Sequence, residues 1–142
     1  MVSLQVRTIM VKNVVTFPKT ALIKDVAKTM AKKNISCVVI TSRKQPIGLI
    51  TERDIMKKIV SKNRKIDGLK ASDIMTTSLL VVPESENIFA AAVLMEQNKI
   101  RRLPVVKGKT LKGIITETDV IRAMTNVARY LNEKLIEYIT NS

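Results

Sequence analysis

The chain has 142 residues, 46% of them apolar and 26% charged, with a formal net charge of +13, one cysteine and no histidine. The missing histidine removes the commonest metal ligand and neutral-pH general base. It also excludes a Ser-His-Asp or Cys-His nucleophile, while a single cysteine excludes an internal disulfide and a cysteine-built zinc site, so most enzyme classes are disfavoured from the outset.

No apolar run approaches the ~20 residues of a membrane span. The start, Met1 to Arg7, lacks the basic stretch and apolar core of a signal peptide. The expectation is a cytoplasmic protein with no membrane association. The charge is uneven: residues 1–71 hold 16 Lys/Arg against 4 Asp/Glu, and residues 72–142 hold 9 against 8. A basic first half suggests an acidic partner, such as a nucleotide phosphate, a nucleic acid or a negative protein surface, or simply a solvated lysine surface.

In chain order, Val14-Val15-Thr16-Phe17 reads as a strand ending at Pro18, with Thr20 as an expected N-cap. Ile23, Val26, Ala27 and Met30 follow at helical spacing, with Lys24, Lys28 and Lys32 on another face, and the helix ends near Asn34. Cys37 to Ile40 is a buried-strand pattern, residues 42–46 a turn, and Ile47 to Ile50 a second strand. A helix follows with Ile55, Met56, Ile59 and Val60 expected inward. Residues 61–73 link the copies, with Ser61 to Lys65 and Gly68 read as exposed and mobile.

The same order then returns: a strand at Leu79 to Val82, a helix from Glu86 to Asn98, strands at Leu103 to Val106 and Leu111 to Ile115, and a helix from Asp119 toward Ile139. The repeat holds at a constant shift of 65 residues, so Gly48-Leu49-Ile50-Thr51-Glu52-Arg53-Asp54 matches Gly113-Ile114-Ile115-Thr116-Glu117-Thr118-Asp119. The expected division is 1–65 and 66–142, two β-α-β-β-α copies of α/β (α+β) class about a pseudo-twofold axis, with function at their junction. Ile88 to Met95 is apolar all round, which calls for cover on more than one side, and a second subunit would supply it. Met124, Val127, Ala128, Leu131, Leu135 and Tyr138 keep a rhythm near 3.5 residues, a second contact surface or an arm over its own core.

The sharpest chemical signal is Gly-x-x-Thr-x-x-Asp at 48–54 and 113–119. It places a hydroxyl and a carboxylate where a strand passes into a helix. Thr-x-x-Asp can be a plain capping box. It can also hold a nucleotide, the hydroxyl and helix start on phosphate and the carboxylate on a ribose diol.

These residues, with Asp73-Ile74-Met75, Pro83-x-Ser85 and Asn98 to Val106, resemble a tandem pair of CBS domains, the modules first noticed in cystathionine β-synthase, over about residues 5–127. The resemblance implies a stand-alone, non-catalytic regulatory pair, a homodimer, and two clefts for AMP, ADP, ATP or S-adenosylmethionine that report to a partner protein. No catalytic residue, metal or required cofactor is implied; the adenine nucleotide is a regulatory ligand. Carried over by position, a main cleft would hold Thr16, Lys19, Thr20, Arg101, Arg102, Leu103, Pro104, Thr116 and Asp119. A second would hold Ile35, Ser36, Cys37, Val38, Thr51, Arg53, Asp54, Val81 and Ser85, with Glu84 repelling phosphate. On this assignment the Asp119 cleft is the better phosphate site. The alternative is a basic adaptor for RNA, DNA or an acidic protein, with Lys24, Lys28, Lys32, Lys57, Lys58, Lys62, Arg64 and Lys65 as its face and vestigial clefts.

Overall fold

Two hairpins, each flanked by a short parallel strand, organise the computed structural model, which describes residues 4–141. Met1–Ser3, on which the expected absence of a leader partly rests, lie outside the described residues. One sheet orders β1 (Thr16–Phe17), β2 (Cys37–Ser42) and β3 (Gln45–Thr51); the other orders β4 (Val82–Pro83), β5 (Arg102–Lys107) and β6 (Thr110–Thr116). The registers repeat. Phe17 pairs with Ile40 as Val82 pairs with Val105, Cys37 with Thr51 as Arg102 with Thr116, and both hairpins bulge at the same place. The helices are α1 (Ile23–Lys33), α2 (Glu52–Lys58), α3 (Ala71–Ile74), α4 (Ile88–Gln97) and α5 (Glu117–Thr140). The result is a mixed α+β fold of two β-α-β-β-α copies.

Several local expectations change. α1 starts at Ile23 after Leu22, not after Thr20. Leu22 forms an extended bridge with Lys70, and the Ile23 N–H donates to the Leu69 carbonyl at 2.8 Å, so the linker supplies the acceptor that a capping side chain would have supplied. The helix does end at Asn34, in the left-handed region at φ 54°. The first hairpin turns on Arg43 and Lys44 alone, both at positive φ, which matches the twist of the flanking strands and lets β3 begin at Gln45. In α2 and the turn that follows it, Ile55 and Ile59 face inward, but Met56 and Val60 are more than 60% exposed. Residues four apart share a helix face and their immediate neighbours do not.

Packing exchanges the leading segments between the copies. Val6 belongs to the core of Val82, Ile88, Leu103 and Ile115, with Leu4, Ile9 and Met10 against it. Ala71 and Ile74 belong instead to the core of Ile23, Val38, Ile40 and Ile50. Thus Ser61–Lys65 are exposed as expected, but Leu69–Ser72 are stitched to the first half through Ala71 N–H to Ala21 O and Ser72 N–H to Lys19 O. The division by packing therefore differs from the 1–65/66–142 division by repeat. The two glycines that open the repeat signature sit under these crossing segments, Gly48 against Met75 and Gly113 against Met10 and Val11. α4 buries Ile88, Ala91 and Met95 and leaves Phe89 and Val93 exposed. No helix among the described residues is long and apolar enough to cross a membrane.

Candidate functional site

Each hairpin delivers its threonine at the last residue of a strand, and the helix begins one residue later. The Asp54 N–H donates to Thr51 Oγ1 at 3.1 Å, and the Thr51 N–H donates to Asp54 Oδ2 at 2.9 Å. Thr116 and Asp119 do the same at 3.2 and 2.9 Å. Both motifs are therefore capping boxes, and each leaves a carboxylate oxygen turned away from the cap.

The surroundings of that second oxygen differ between the copies. Asp54 Oδ1 lies 3.2 Å from Lys58 Nζ and 3.5 Å from Thr76 Oγ1, and Lys58 also donates to the Ile74 carbonyl at 2.8 Å. This ties α2 to the segment crossing from the other copy. Asp119 Oδ1 has Arg122 at 3.7 Å, a largely solvated guanidinium. Such a pair is weak.

A cleft of about 530 Å³ opens between the copies at Asp54. The first copy contributes Ser36, Leu49, Thr51, Glu52, Arg53 and Asp54. The second contributes Thr76, Ser78, Leu79 and Leu80 from the segment before β4, and Lys99, Ile100, Arg101, Arg102 and Pro104 from the start of β5. A second hollow of about 590 Å³ is lined by Ser36, Arg101, Arg102, Thr116, Glu117, Thr118 and Ile121. The two hollows share Ser36, Arg101 and Arg102 as a common wall, where Arg102 Nη2 donates to Ser36 Oγ at 2.7 Å across the copies. Burial pushes the Cys37 thiol up from its ordinary pKa, and the Arg102 guanidinium partly offsets this.

Chemically the Asp54 cleft is the fuller of the two. It combines two carboxylates, hydroxyls and four cations with an apolar patch of Leu49, Leu79, Leu80, Ile100 and Pro104, whereas the Thr116 hollow has only Ile121 as an apolar wall. A flat base needs the patch, and a phosphate needs the cations. Among the described residues no group of three His, Cys, Asp or Glu side chains is placed to hold a metal ion.

The residues expected from sequence are regrouped. Ser36, Thr51, Arg53 and Asp54 do share a cleft, but Arg101, Arg102 and Pro104, assigned beside Asp119, line that same cleft. Arg101 and Arg102 also reach the Thr116 hollow, while Asp119 itself is not part of its lining. Val38 and Leu103 are fully buried core residues with no side chain to offer, and Ile35 packs against the first core. Val81 and Ser85 are exposed and line neither hollow; Thr76, Ser78, Leu79 and Leu80 stand in their place. The reason is the bridge between Leu49 and Thr76, which holds the chain over the cleft five residues earlier than expected. Glu84 is turned away, 3.9 Å from Arg7. Lys19 and Thr20 are exposed and line neither hollow, and Thr16 lines a separate pocket of about 220 Å³ with Lys12, Lys44 and Lys112. The sequence signal for the missed segment was available: Thr76 follows directly on the Ile74-Met75 landmark, as Val11 follows Ile9-Met10.

The pattern of the CBS domain matches residues 6–61 and again 71–126. The mitochondrial CBS domain-containing protein CBSX3 of Arabidopsis thaliana is 33% identical over 120 residues, covering 81% of this chain and 58% of that protein. The CBS domain pair of protein MJ0100, solved in complex with 5′-methylthioadenosine and S-adenosyl-L-methionine, superimposes with a TM-score of 0.77 at 28% identity, over 86% of this chain and 96% of that one. A hexameric CBS-CP12 protein from bloom-forming cyanobacteria gives 0.76 at 34% identity, over 84% and 70%. The chain spans 33–66% of the length of the curated relatives it matches first.

Proposed function

The chain belongs to the CBS-domain family, and from that premise we propose that it is a non-catalytic regulatory module binding an adenosine-containing ligand between its two CBS domains. CBS-domain proteins are generally regulatory, and one similar pair was solved with two adenosine compounds bound. The observation that carries the reading is the Asp54 cleft, which joins a carboxylate, hydroxyls, arginines and an apolar patch in about 530 Å³. The ligand is AMP, ADP, ATP or S-adenosylmethionine. Its ribose lies toward Asp54, its charged end toward Arg53, Arg101 and Arg102, and its base against Leu79, Leu80, Ile100 and Pro104. Pulling the copies together around a ligand changes a surface read by a partner protein, to the extent that the ligand prefers the closed arrangement. Two copies of the chain associate, and the module works in the cytoplasm.

Titration calorimetry with the four ligands tests this. The apolar patch, with Arg53 and Lys99 as cations that the other hollow lacks, favours Asp54 as the stronger site, where the sequence pointed to Asp119. Asp54→Ala should therefore lower affinity more than Asp119→Ala, with binding enthalpy lost in parallel. No heat with any adenosine ligand would reject the sensor reading.

One observation favours the adaptor reading. Lys24, Lys28 and Lys32 are exposed along α1, and no ion pair among the described residues neutralises them. That reading requires RNA binding that weakens steeply with salt and disappears when the three lysines are changed to glutamate.

A further inference from the structure

α5 is far longer than its place in the fold requires. Its 24 residues span about 36 Å at 1.5 Å per residue. Val120 is its one fully buried residue, and Ala123 packs against the second core. Ile121, Met124, Leu131, Leu135 and Tyr138 are 44–74% exposed. Together with Ala128 they stand at alternating spacings of three and four, the a and d positions of a coiled-coil seam.

We propose that this seam pairs with the same seam of a second copy, antiparallel about a twofold axis between residues 129 and 130. The set is self-complementary in that direction. Position 121 meets 138 of the other copy, 124 meets 135 and 128 meets 131, so every seam residue faces another seam residue. The self-matching is what an isologous contact demands.

The two ends of the arm also fit each other. Near its start, α5 and α4 enclose a groove of about 450 Å³ that includes Ala92, Met95, Ile121 and Met124, its charged lining balanced between Lys99 and Arg101 on one hand and Glu96 and Glu117 on the other. The far end carries Leu135 and Tyr138, with Glu133 and a Lys134–Glu137 pair at 3.2 Å beside them. Antiparallel pairing brings that apolar tip onto the apolar part of the groove at both ends of the seam. At their present exposures the five large seam side chains of each copy, with their stems, remove about 1,000 Å² in total, which reaches the size of a specific interface. The pairing stands independently of what the clefts bind. Lys99, Ile100 and Arg101 line both the groove and the Asp54 cleft, so the arm of one copy lies against the wall of the other's ligand site.

Sedimentation velocity on the full chain should give a dimer. Leu131→Glu combined with Leu135→Glu should weaken association at least about a hundredfold. Its circular dichroism should show the two-domain body still folded, because both side chains are exposed in the single copy. A monomeric wild type, or a dimer indifferent to these changes, overturns the proposal. Direction is read separately on a Cys37→Ala background. A mixture of Ile121→Cys and Tyr138→Cys chains should form a disulfide between the two kinds of chain. Tyr138→Cys chains that link only to themselves would show parallel pairing and overturn the register.

Discussion

Gly48→Ala and Gly113→Ala add the same methyl group at equivalent places in the repeat, yet their costs should differ. The nearest atoms to a Cβ at Gly48 all belong to the side chain of Met75, with Sδ at 2.5 Å, Cγ at 2.9 Å and Cβ at 3.1 Å. Methionine is unbranched with three rotatable bonds, and Met75 is only half-buried, so it can swing aside. A Cβ at Gly113 would meet Met10 Sδ at 2.6 Å and also the carbonyl oxygen of Val11 at 2.7 Å. That oxygen cannot retreat, because it accepts from the Ile114 N–H at 3.0 Å while the Val11 N–H donates to Ile114 at 2.9 Å. Overpacking against backbone should cost about 2–3 kcal/mol at Gly113, and repacking one methionine about 1 kcal/mol at Gly48. Part of the smaller cost is offset by the reduced freedom of the unfolded chain. Urea unfolding followed by circular dichroism, with an unchanged slope, reads the difference. The decisive comparison is a pair of double-mutant cycles. In a Met75→Ala background most of the Gly48→Ala loss should disappear, since only the Cβ contact at 3.1 Å remains, whereas in a Met10→Ala background most of the Gly113→Ala loss should persist. Equal losses at the two glycines, or full rescue by Met10→Ala, would refute the argument.

Two other outcomes are expected. Arg102→Ala removes a cation from the shared wall and breaks the bond to Ser36, so AMP affinity should fall about tenfold or more while Ser36→Ala costs less; an unchanged calorimetric Kd would remove Arg102 from the site. The Cys37 thiol, raised by burial, should alkylate at neutral pH more slowly than a free cysteine peptide. Because its folded pKa lies above the unfolded one, its contribution to stability is complete below about pH 8.5 and is lost as pH rises through the folded value. Labelling as fast as in the peptide would contradict this.

Much of the fold was legible because its signals are local. The 65-residue repeat announced two copies of one unit, and the register of both hairpins obeys it residue for residue. Thr51 with Asp54 and Thr116 with Asp119 were readable as helix starts, since a capping box needs only four consecutive residues. Asn34 was readable as a helix end for the same reason. The boundary at Thr20 was misread because the acceptor that starts α1 comes from Leu69, far along the chain.

The site divides along the same line. Sequence alone determined that two hydroxyl–carboxylate pairs would stand at strand ends, and that no histidine chemistry would accompany them. Only the tertiary structure decided that residues 76–80 rather than 81–85 cover the Asp54 cleft, and that Arg101 and Arg102 serve both hollows from one shared wall. Spacing within a repeat sets which side chains share a strand or a helix face, whereas the partner across the junction depends on how two sheets and two crossing segments pack. That choice is made by burying Val6 in one core and Ile74 in the other, contacts whose sequence separation leaves no periodic trace.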